Sequence, residues 1–342
     1  MATPEVYARR IHAGSKMTSG LPFDDFRSLL ANLSPVDVAA SNSARIEFRQ
    51  AGGDRNSPAT VEGVAAWLAG SRGRAMPAVG RPVLAIFAGN HGVAAEGVSP
   101  RPQSATAEEV ALCGSGGAAV NRLCAVGDLG LKVLDLALDL PTGNISREAA
   151  FDERTAAATM AFGMEAIAGG ADLLGIGDFG VGNSTVAAAI AAALFGGSGV
   201  DWVGAGSGAD EAMIARKAAV VDRALACHAG HFDDPLEVLR RLGGREFAAI
   251  AGAILAARIE KIPAILDGYA AMTAAAVLHK ANPAALDHCR LASAPIEPAQ
   301  AKLAALIGLK PLLAFDAGGS GGAGAAIAMI AVKNALLCRQ GT

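Results

Sequence analysis

Glycine-rich segments that combine backbone amides with polar side chains are the parts of this sequence best suited to chemistry. The strongest is GIGDFGVGNST, which ends a predicted strand and opens a predicted helix. Gly180 and Gly182 let the backbone approach a ligand, and amides at the positive end of the helix can bind an anion. The hydroxyls of Ser184 and Thr185 add donors, and Asp178 adds a carboxylate that a simple capped turn would not need. The segment therefore predicts phosphate binding, although it lacks the GK[ST] of a P-loop.

A second glycine turn, GAGSG, follows another predicted strand and precedes Arg216 and Lys217 on a helix. Lysine carries a compact charge that suits a phosphate. Alone, this would be a turn with solvated helix charges, but two such turns in one sheet favour a nucleotide monophosphate or a sugar phosphate. The predicted anion site comprises Gly180, Gly182, Asn183, Ser184, Gly206, Ser207, Gly208 and Lys217.

Two further segments could carry catalytic side chains. Asn90 and His91 follow a predicted strand in FAGNHGV, where a lone histidine is more often a structural residue than an acid–base catalyst. Near the end of the chain, FDAGGSGGAGAAIAMI reads as a strand, a glycine loop and a helix, and Ser320 is the one functional side chain in that loop. No Ser/His/Asp set stands at a recognisable motif spacing, so nucleophilic hydrolysis has no support.

Composition narrows the class of protein. The chain has 342 residues, of which 52% are apolar and 18% charged, with a net charge of −3 and no basic run, so a nucleic-acid or membrane surface is not expected. The five cysteines are scattered and lack CxxC spacing, which argues against a disulfide framework or a zinc site and favours a cytoplasmic protein. The N-terminus has no apolar core typical of a signal peptide.

The order of elements predicts how these segments meet. Short apolar runs suited to buried parallel strands alternate with helical patterns, which predicts an α/β fold with a doubly wound, mostly parallel sheet. The predicted strands are 82–90, 131–138, 171–178, 201–206, 263–268 and 311–318. Residues 1–80 lack this alternation and predict a smaller helical lobe beside an α/β domain at 81–342. In such sheets, ligands bind beyond the carboxyl ends of the strands.

Read in order, the segments resemble the nicotinate-nucleotide–dimethylbenzimidazole phosphoribosyltransferase family of cobamide nucleotide-loop synthesis. The resemblance runs from about Gly20 to Leu337. It is carried by LPFDDFRSLL, FAGNHGVAAEGVSPRPQSATAEEV, GSGGAAVN, LLGIGDFGVGNSTVAAAI, GAGSG, RRLGGREFAAIAGAILAARIEKIPAILDGYAA, NPAALDHC and IEPA. It implies that the domain at 81–342 is phosphoribosyltransferase-like.

The resemblance also implies a reaction. In the family, an azole base such as 5,6-dimethylbenzimidazole attacks C1′ of nicotinate mononucleotide, which gives α-ribazole 5′-phosphate and nicotinate. The reaction requires no metal or cofactor, but it needs a phosphate anchor and a carboxylate beside the azole. A homodimer is implied as well. Substrate-binding residues are then expected at Gly180, Gly182, Asn183, Ser184, Thr185, Gly206, Ser207, Gly208, Lys217, Asn90, His91, Ser293, Glu297 and Ser320.

The sequence departs from the family pattern at the catalytic loops. The family's loop RLGEGTG aligns with AGGSGGAG, which puts Gly321 where the base glutamate stands and Gly318 where the arginine stands. The second family glutamate, in GEMGIGNTT, becomes Asp178. The family segment KPxGSLGxLE aligns with Gly53–Glu62, of which only the last glutamate is kept, and EPGH becomes EPAQ from Glu297 to Gln300.

Three interpretations remain open at this stage. The first is an active transferase in which Asp178, Glu297 or water replaces the missing base. The second is a catalytically impaired paralogue that binds a nucleotide or an azole as a sensor, carrier or partner subunit. The third is a dinucleotide-binding oxidoreductase, which is disfavoured because no GxGxxG precedes a ribose-binding acid at the required distance.

Overall fold

The computed structural model describes residues 20–50, 59–75, 78–315, 317 and 321–337. Three helices precede the first strand: α1 (Asp24–Ala31), α2 (Val38–Gln50) and α3 (Ala59–Arg72). The first half of the sheet region contains β1 (Pro82–Ala88), α4 (Ser104–Gly114), α5 (Ala119–Gly127), β2 (Gly130–Asp135), α6 (Glu153–Met164), β3 (Leu173–Phe179) and α7 (Asn183–Phe195). The second half contains α8 (Glu211–Cys227), α9 (Pro235–Leu242), α10 (Arg245–Ile259), β4 (Ala264–Leu266), α11 (Gly268–Ala281), β5 (Cys289–Ser293), α12 (Pro298–Leu306), β6 (Pro311–Leu313) and α13 (Ala323–Leu337).

The strands of the described residues form one parallel sheet in the order β2-β1-β3-β4-β5-β6. β1 and β3 pair along their full lengths, from Pro82 with Leu173 to Ala88 with Phe179. Both are almost continuously buried, because helices cover both faces of the sheet. From β1 the chain passes to β2 on one side and then to β3 on the other, so the predicted doubly wound α/β fold is confirmed.

One strand was predicted where none exists, and one strand was not predicted. Residues 201–206 do not form a strand: they follow a short 3-10 helix, Gly199–Asp201, and continue as turns. The apolar character of this run comes largely from Trp202, which is fully buried and donates from Nε1 to the Gly196 carbonyl at 2.8 Å. The GAGSG turn is therefore an interhelical loop between α7 and α8. The strand missing from the prediction is β5, whose sequence CRLAS is too polar to read as buried without its neighbours β4 and β6.

Alternate residues of the central strands belong to two different cores. Ala85 and Phe87 of β1 face the core packed by the alanine-rich helices α7, α10 and α11. Leu84 and Ile86 face a second core that includes residues of α3, α5 and α13. This alternation is the period-2 pattern of a strand covered on both faces.

Glycine allows two of the covering helices to touch through their backbones. A Cβ on Gly163 of α6 would lie 1.9 Å from the Ala249 carbonyl oxygen of α10. A Cβ on Gly252 of α10 would lie 1.9 Å from the Met160 carbonyl oxygen of α6. The high glycine and alanine content therefore serves close helix packing, as well as the turns at the ligand edge.

The N-terminal helices share both cores with the sheet. Phe23 and Leu30, at the start and within α1, belong to the first core, and Trp67 and Leu68 of α3 belong to the second. The helical character predicted for this region is present in α1, α2 and α3. A division of the chain at residue 80 stays a prediction.

One stretch of the described residues, Ser104–Gly127, has the length and apolar composition of a membrane-crossing helix. In the structure, this stretch consists of two helices, α4 and α5, interrupted by a turn at residues 115–118. It also carries Glu108, Glu109 and Arg122. Length and composition alone are weak evidence for a span, and the break and the charges weigh against it.

Candidate active site

A cleft of about 550 Å³ opens at the carboxyl edge of the sheet, beyond β3, β4 and β5. Residues 98–101, α4 and the loop between α7 and α8 complete its walls. Most of the catalytic and substrate-binding residues expected from the sequence line this cleft. These are Asp178, Gly180, Gly182, Asn183, Ser184, Gly206, Ser207, Lys217, Ser293, Glu297 and Gly321.

One end of the cleft, named here the anion corner, brings together Ser184, Gly206 and Lys217. A Cβ on Gly206 would lie 3.2 Å from Ser184 Oγ and 3.6 Å from Lys217 Nζ, so the three groups converge on one point. Ser184 belongs to the first turn of α7, where backbone N–H groups and the helix dipole favour an anion. The two predicted phosphate segments therefore meet in space, although only one of them follows a strand.

Lys217 is held in this corner by its surroundings. Its side chain is buried, and Nζ donates to the Gly204 carbonyl at 2.6 Å. Burial lowers the pKa of this ammonium group, and the nearby carboxylate of Glu297 partly restores it. A buried cation with so few acceptors is suited to take up an anionic oxygen, because the anion would stabilise its charged form.

Glu297 holds the loop of the anion corner in place. Its Oε1 accepts from the Gly206 amide at 2.7 Å, and its Oε2 accepts from Gln300 Nε2 at 3.3 Å. A Cβ on Gly204 would lie 2.4 Å from Glu297 Oε2, so this glycine leaves room for the carboxylate. In this arrangement Glu297 fixes the GAGSG loop.

A second part of the cleft, named here the carboxylate corner, consists of Asp178, Phe179, Glu109 and Gly321. Asp178 is the penultimate residue of β3, and its Oδ2 accepts from Asn183 Nδ2 at 2.7 Å. Burial, followed by the charges of Glu246 and Asp267, raises the pKa of Asp178 to about 8. The carboxyl is therefore mostly protonated at neutral pH and is a strong proton acceptor once it ionises.

Gly321 cannot be exchanged for a larger residue without local change. Its φ is +74°, a left-handed conformation that glycine adopts readily and other residues avoid. A Cβ at this position would lie 2.4 Å from Cζ and 2.5 Å from Cε1 of Phe179. The resemblance aligns Phe179 with the methionine of the family segment GEMGIGNTT, and in this structure the Phe179 ring fills the space beside Gly321.

Four of the expected binding residues lie outside the cleft lining. Asn90 donates from Nδ2 to the Leu138 carbonyl at 2.8 Å. His91 is buried and contacts Glu246. Thr185 is buried inside α7, and Gly208 lies on the exposed part of its loop with φ +100°. Binding roles for these residues stay predictions.

Ser320 and Gly318 lie outside the described residues, and so does most of the segment from Gly53 to Glu62. Among the residues that are described, no group of three or more His, Cys, Asp or Glu side chains is arranged to hold a metal ion.

Several cleft and sub-cleft residues were not assigned a role from the sequence. Asp267 follows β4, and its Oδ2 accepts from the Ala325 amide at 3.1 Å, which ties the first turn of α13 to the sheet edge. Arg101 and Glu109 form an ion pair of 2.5 Å at the cleft wall. Glu246 lies beneath the floor. A signal for Glu246 was present in GGREFAAIAGAIL, where a carboxylate opens an otherwise apolar helix.

Comparison with known proteins identifies the family. A family model described as phosphoribosyltransferase matches residues 33–341. Proteins of Brucella melitensis and Rhizobium etli, both named nicotinate-nucleotide–dimethylbenzimidazole phosphoribosyltransferase, are each 55% identical to the chain over 323 residues, which is 94% of this chain and 95% of theirs.

Solved structures give the same result for the fold. A crystal structure of CobT from Thermus thermophilus aligns with a TM-score of 0.80 and 35% identity, over 88% of this chain and 96% of the other. A nicotinate-nucleotide–dimethylbenzimidazole phosphoribosyltransferase structure from the same organism aligns with a TM-score of 0.78 and 33% identity, over 89% and 96%. The chain belongs to the nicotinate-nucleotide–dimethylbenzimidazole phosphoribosyltransferase family.

Proposed function

We propose that the protein transfers the phosphoribosyl group of nicotinate mononucleotide to 5,6-dimethylbenzimidazole or a related azole, in cobalamin biosynthesis. The observation that carries this proposal is the arrangement of the cleft. A buried lysine and a helix N-terminus meet in one corner, and a carboxyl with a pKa of about 8 lines the same cleft. An anionic donor and an acceptor that must lose a proton need these two groups in one cavity.

At the anion corner, Lys217, the Ser184 hydroxyl and the N-terminus of α7 hold the 5′-phosphate. Anchoring the phosphate fixes the ribose relative to the sheet edge and so converts the encounter of donor and acceptor into a step within one complex. Glu297 does not contact the phosphate in this scheme. It keeps the GAGSG loop in place through the Gly206 amide.

At the carboxylate corner, Asp178 is the general base. One ring nitrogen of the azole attacks C1′ of the ribose and forms the new C–N bond. The bond from C1′ to the nicotinate nitrogen breaks, and nicotinate leaves with that electron pair. The N–H proton of the azole passes to the ionised carboxyl of Asp178. A base whose pKa is about 8 accepts this proton more readily than an ordinary aspartate would.

We further propose that the protein acts on these small molecules as a cytoplasmic homodimer. Cys113, Cys124, Cys227 and Cys289 are free thiols, in keeping with a reducing compartment. Leu112 on α4 and Val126 on α5 are exposed apolar side chains on neighbouring helices, which a second copy could cover. Light scattering of the purified protein tests the dimer: a monomer mass at micromolar concentration would contradict it.

The reaction is tested by incubating the purified protein with nicotinate mononucleotide and 5,6-dimethylbenzimidazole and separating the products by chromatography. We expect nicotinate and α-ribazole 5′-phosphate in equal amounts. Nucleotide binding by calorimetry without any product would contradict a transferase and favour a binding protein. The absence of both binding and turnover would contradict the whole assignment of the cleft.

A further inference from the structure

A carboxylate and an imidazole form a buried pair beneath the floor of the cleft. His91 Nε2 and Glu246 Oε1 are 2.5 Å apart, and both side chains are almost completely buried. They come from opposite parts of the chain: His91 follows β1, and Glu246 lies in the first turn of α10. A buried ionisable pair of this kind is costly to build unless its charge is used or compensated.

Three glycines make room for the pair. A Cβ on Gly89 would lie 2.2 Å from Glu246 Oε2, and a Cβ on Gly180 would lie 2.8 Å from Glu246 Oε1. A Cβ on Gly244 would lie 2.2 Å from His91 Cε1. Gly180 also lines the cleft, so a single glycine backbone separates the Glu246 carboxylate from the substrate side.

The hydrogen bonds assign a charge to this pair. His91 Nδ1 and Glu246 Oε2 are buried and have no hydrogen-bond partner. A protonated Nδ1 would bury an N–H donor without an acceptor, which carries the full desolvation penalty of that donor. We therefore assign neutral His91, with Nε2–H donating to an ionised Glu246. The N-terminus of α10 also favours that carboxylate. The pair keeps one net negative charge.

The Glu246 carboxylate lies against Gly180, two residues after Asp178 in the chain, so its charge is close enough to act on the Asp178 carboxyl. The groups that affect Asp178 come from four elements: Glu246 of α10, Asp267 after β4, Glu109 of α4 and the Asn183 amide of α7. Glu246 is the strongest of the charged neighbours, and among these three carboxylates it alone lies below the glycine floor and does not line the cleft. Glu246 is fully buried, so substrate cannot reach it.

We propose that the Glu246–His91 pair is a positioning element of the active site: the buried charge of Glu246 makes Asp178 a strong proton acceptor without touching substrate. His91 retains that charge by donating to it, which explains a histidine at a strand end that faces away from the cleft. The proposal rests on Asp178 as the base of the proposed reaction.

The test is the titration of the Asp178 carboxyl in the substrate-free, full-length protein, followed by ¹³C NMR. The signal is assigned by its absence in Asp178→Asn. In Glu246→Gln, which keeps shape and loses charge, we expect the midpoint to fall by about one pH unit. His91→Leu leaves the Glu246 carboxylate without a donor, which disfavours its charged form, so we expect the Asp178 midpoint to fall in the same direction. His91→Gln keeps a donor and is expected to restore the wild-type midpoint.

A matched control is Glu109→Gln, which removes a weaker carboxylate neighbour and should lower the midpoint less than Glu246→Gln. An unchanged or raised midpoint in both Glu246→Gln and His91→Leu would overturn the proposal. Because the titration uses no substrate, its outcome is separate from that of the proposed reaction. A protein without turnover but with the expected shifts contradicts only the reaction, and an active protein with an unshifted midpoint contradicts only this inference.

Discussion

The anion corner and the carboxylate corner lie on the same edge of one sheet, yet they follow the family pattern to different degrees. At the anion corner, Ser184, Gly206 and Lys217 lie close together, and Glu297 holds the Gly206 amide. At the carboxylate corner, the resemblance aligns Gly321 with the family's loop glutamate and Asp178 with the other family glutamate. Holding a phosphate depends on backbone geometry, which the fold maintains. Removing a proton depends on one side chain, and a substitution can pass that role to another residue.

The largest effect is expected from Asp178→Asn, which keeps the shape of the carboxylate corner and removes its base. Loss of a general base lowers the rate about 10²–10⁴-fold, and binding of nicotinate mononucleotide should be kept because the anion corner is untouched. Nicotinate release and calorimetry measure the two properties. Glu109→Gln is the control from the same corner. A rate within about threefold of wild type in Asp178→Asn, far below the loss expected for a general base, would place the base elsewhere.

Restoring the family glutamate at position 321 is expected to harm the protein. Gly321→Glu forces a left-handed backbone on glutamate and drives its Cβ into the Phe179 ring, at a combined cost of about 2–5 kcal/mol. Chemical denaturation measures this cost. Adding Phe179→Met relieves the overlap, because methionine can move aside, so the double variant should be more stable than Gly321→Glu alone.

Equal stability of the single and double variants would show that Phe179 and Gly321 are not coupled. Phe179→Met alone serves as the reference for the cost of the smaller side chain. If the double variant also releases nicotinate faster than the wild type, a glutamate at position 321 can still act as the base. The present chain then lacks only that carboxylate.

Breaking the anion corner is expected to have a smaller effect. Lys217→Met removes one charged hydrogen bond to the phosphate, which corresponds to about 1.5–3 kcal/mol, or roughly a 10- to 150-fold weaker affinity for nicotinate mononucleotide. Lys302→Met is the matched control, since Lys302 packs its ammonium over the Trp202 ring at 4.0 Å and does not line the cleft. Calorimetry that finds equal affinities in the two variants would contradict the assignment of the phosphate.

The sequence predicted the fold class and the family correctly, because both depend on patterns spread along the chain. Apolar runs between helices indicate a parallel sheet, and glycine turns mark its ligand edge. The misread run at 201–206 shows the limit of this reasoning. Its apolar character came largely from Trp202, which is anchored by the Gly196 carbonyl and not by a neighbouring strand.

Site residues that depend on contacts between distant segments could not be predicted. Glu246 and His91 are 155 positions apart, and no local pattern links them. The clash between Phe179 and a Cβ at Gly321 likewise follows from the packing of β3 against the last loop. Gly180 looked like a phosphate-turn glycine, and the structure adds a second reason for it, because the Glu246 carboxylate needs the space.

A further effect is expected on the pH dependence of stability. The pKa of Asp178 is raised from 3.8 to about 8 in the folded protein, so the folded state keeps a proton that the unfolded state loses above about pH 4. The wild type is therefore destabilised progressively as the pH rises from about 4 to about 8. Asp178→Asn has no titrating carboxyl at this position and therefore does not lose stability in this way. We expect its melting temperature, relative to wild type, to increase across this range and then level off.

A constant difference in melting temperature from about pH 4 to about pH 9 would show that Asp178 titrates at its ordinary value. Asp152→Asn is a useful comparison, because a backbone hydrogen bond from Thr155 lowers the pKa of that exposed helix-capping aspartate. The stabilising contribution of Asp152 is present above the ordinary pKa of an aspartate, and it is lost as the pH falls through the lowered pKa of the folded protein. The two variants should therefore change with pH in opposite ways.

The central claim, that Asp178 has taken over the role of base from the lost loop glutamate, is tested most directly by the pH dependence of kcat/KM for nicotinate release. This parameter reports the ionisation of the free enzyme. We expect kcat/KM of the wild type to rise with pH and to reach half its maximum near pH 8, the pKa of Asp178. Asp178→Asn should lack this rise. A wild-type profile that is flat from about pH 7 to about pH 9, or the same rise in Asp178→Asn, would contradict it.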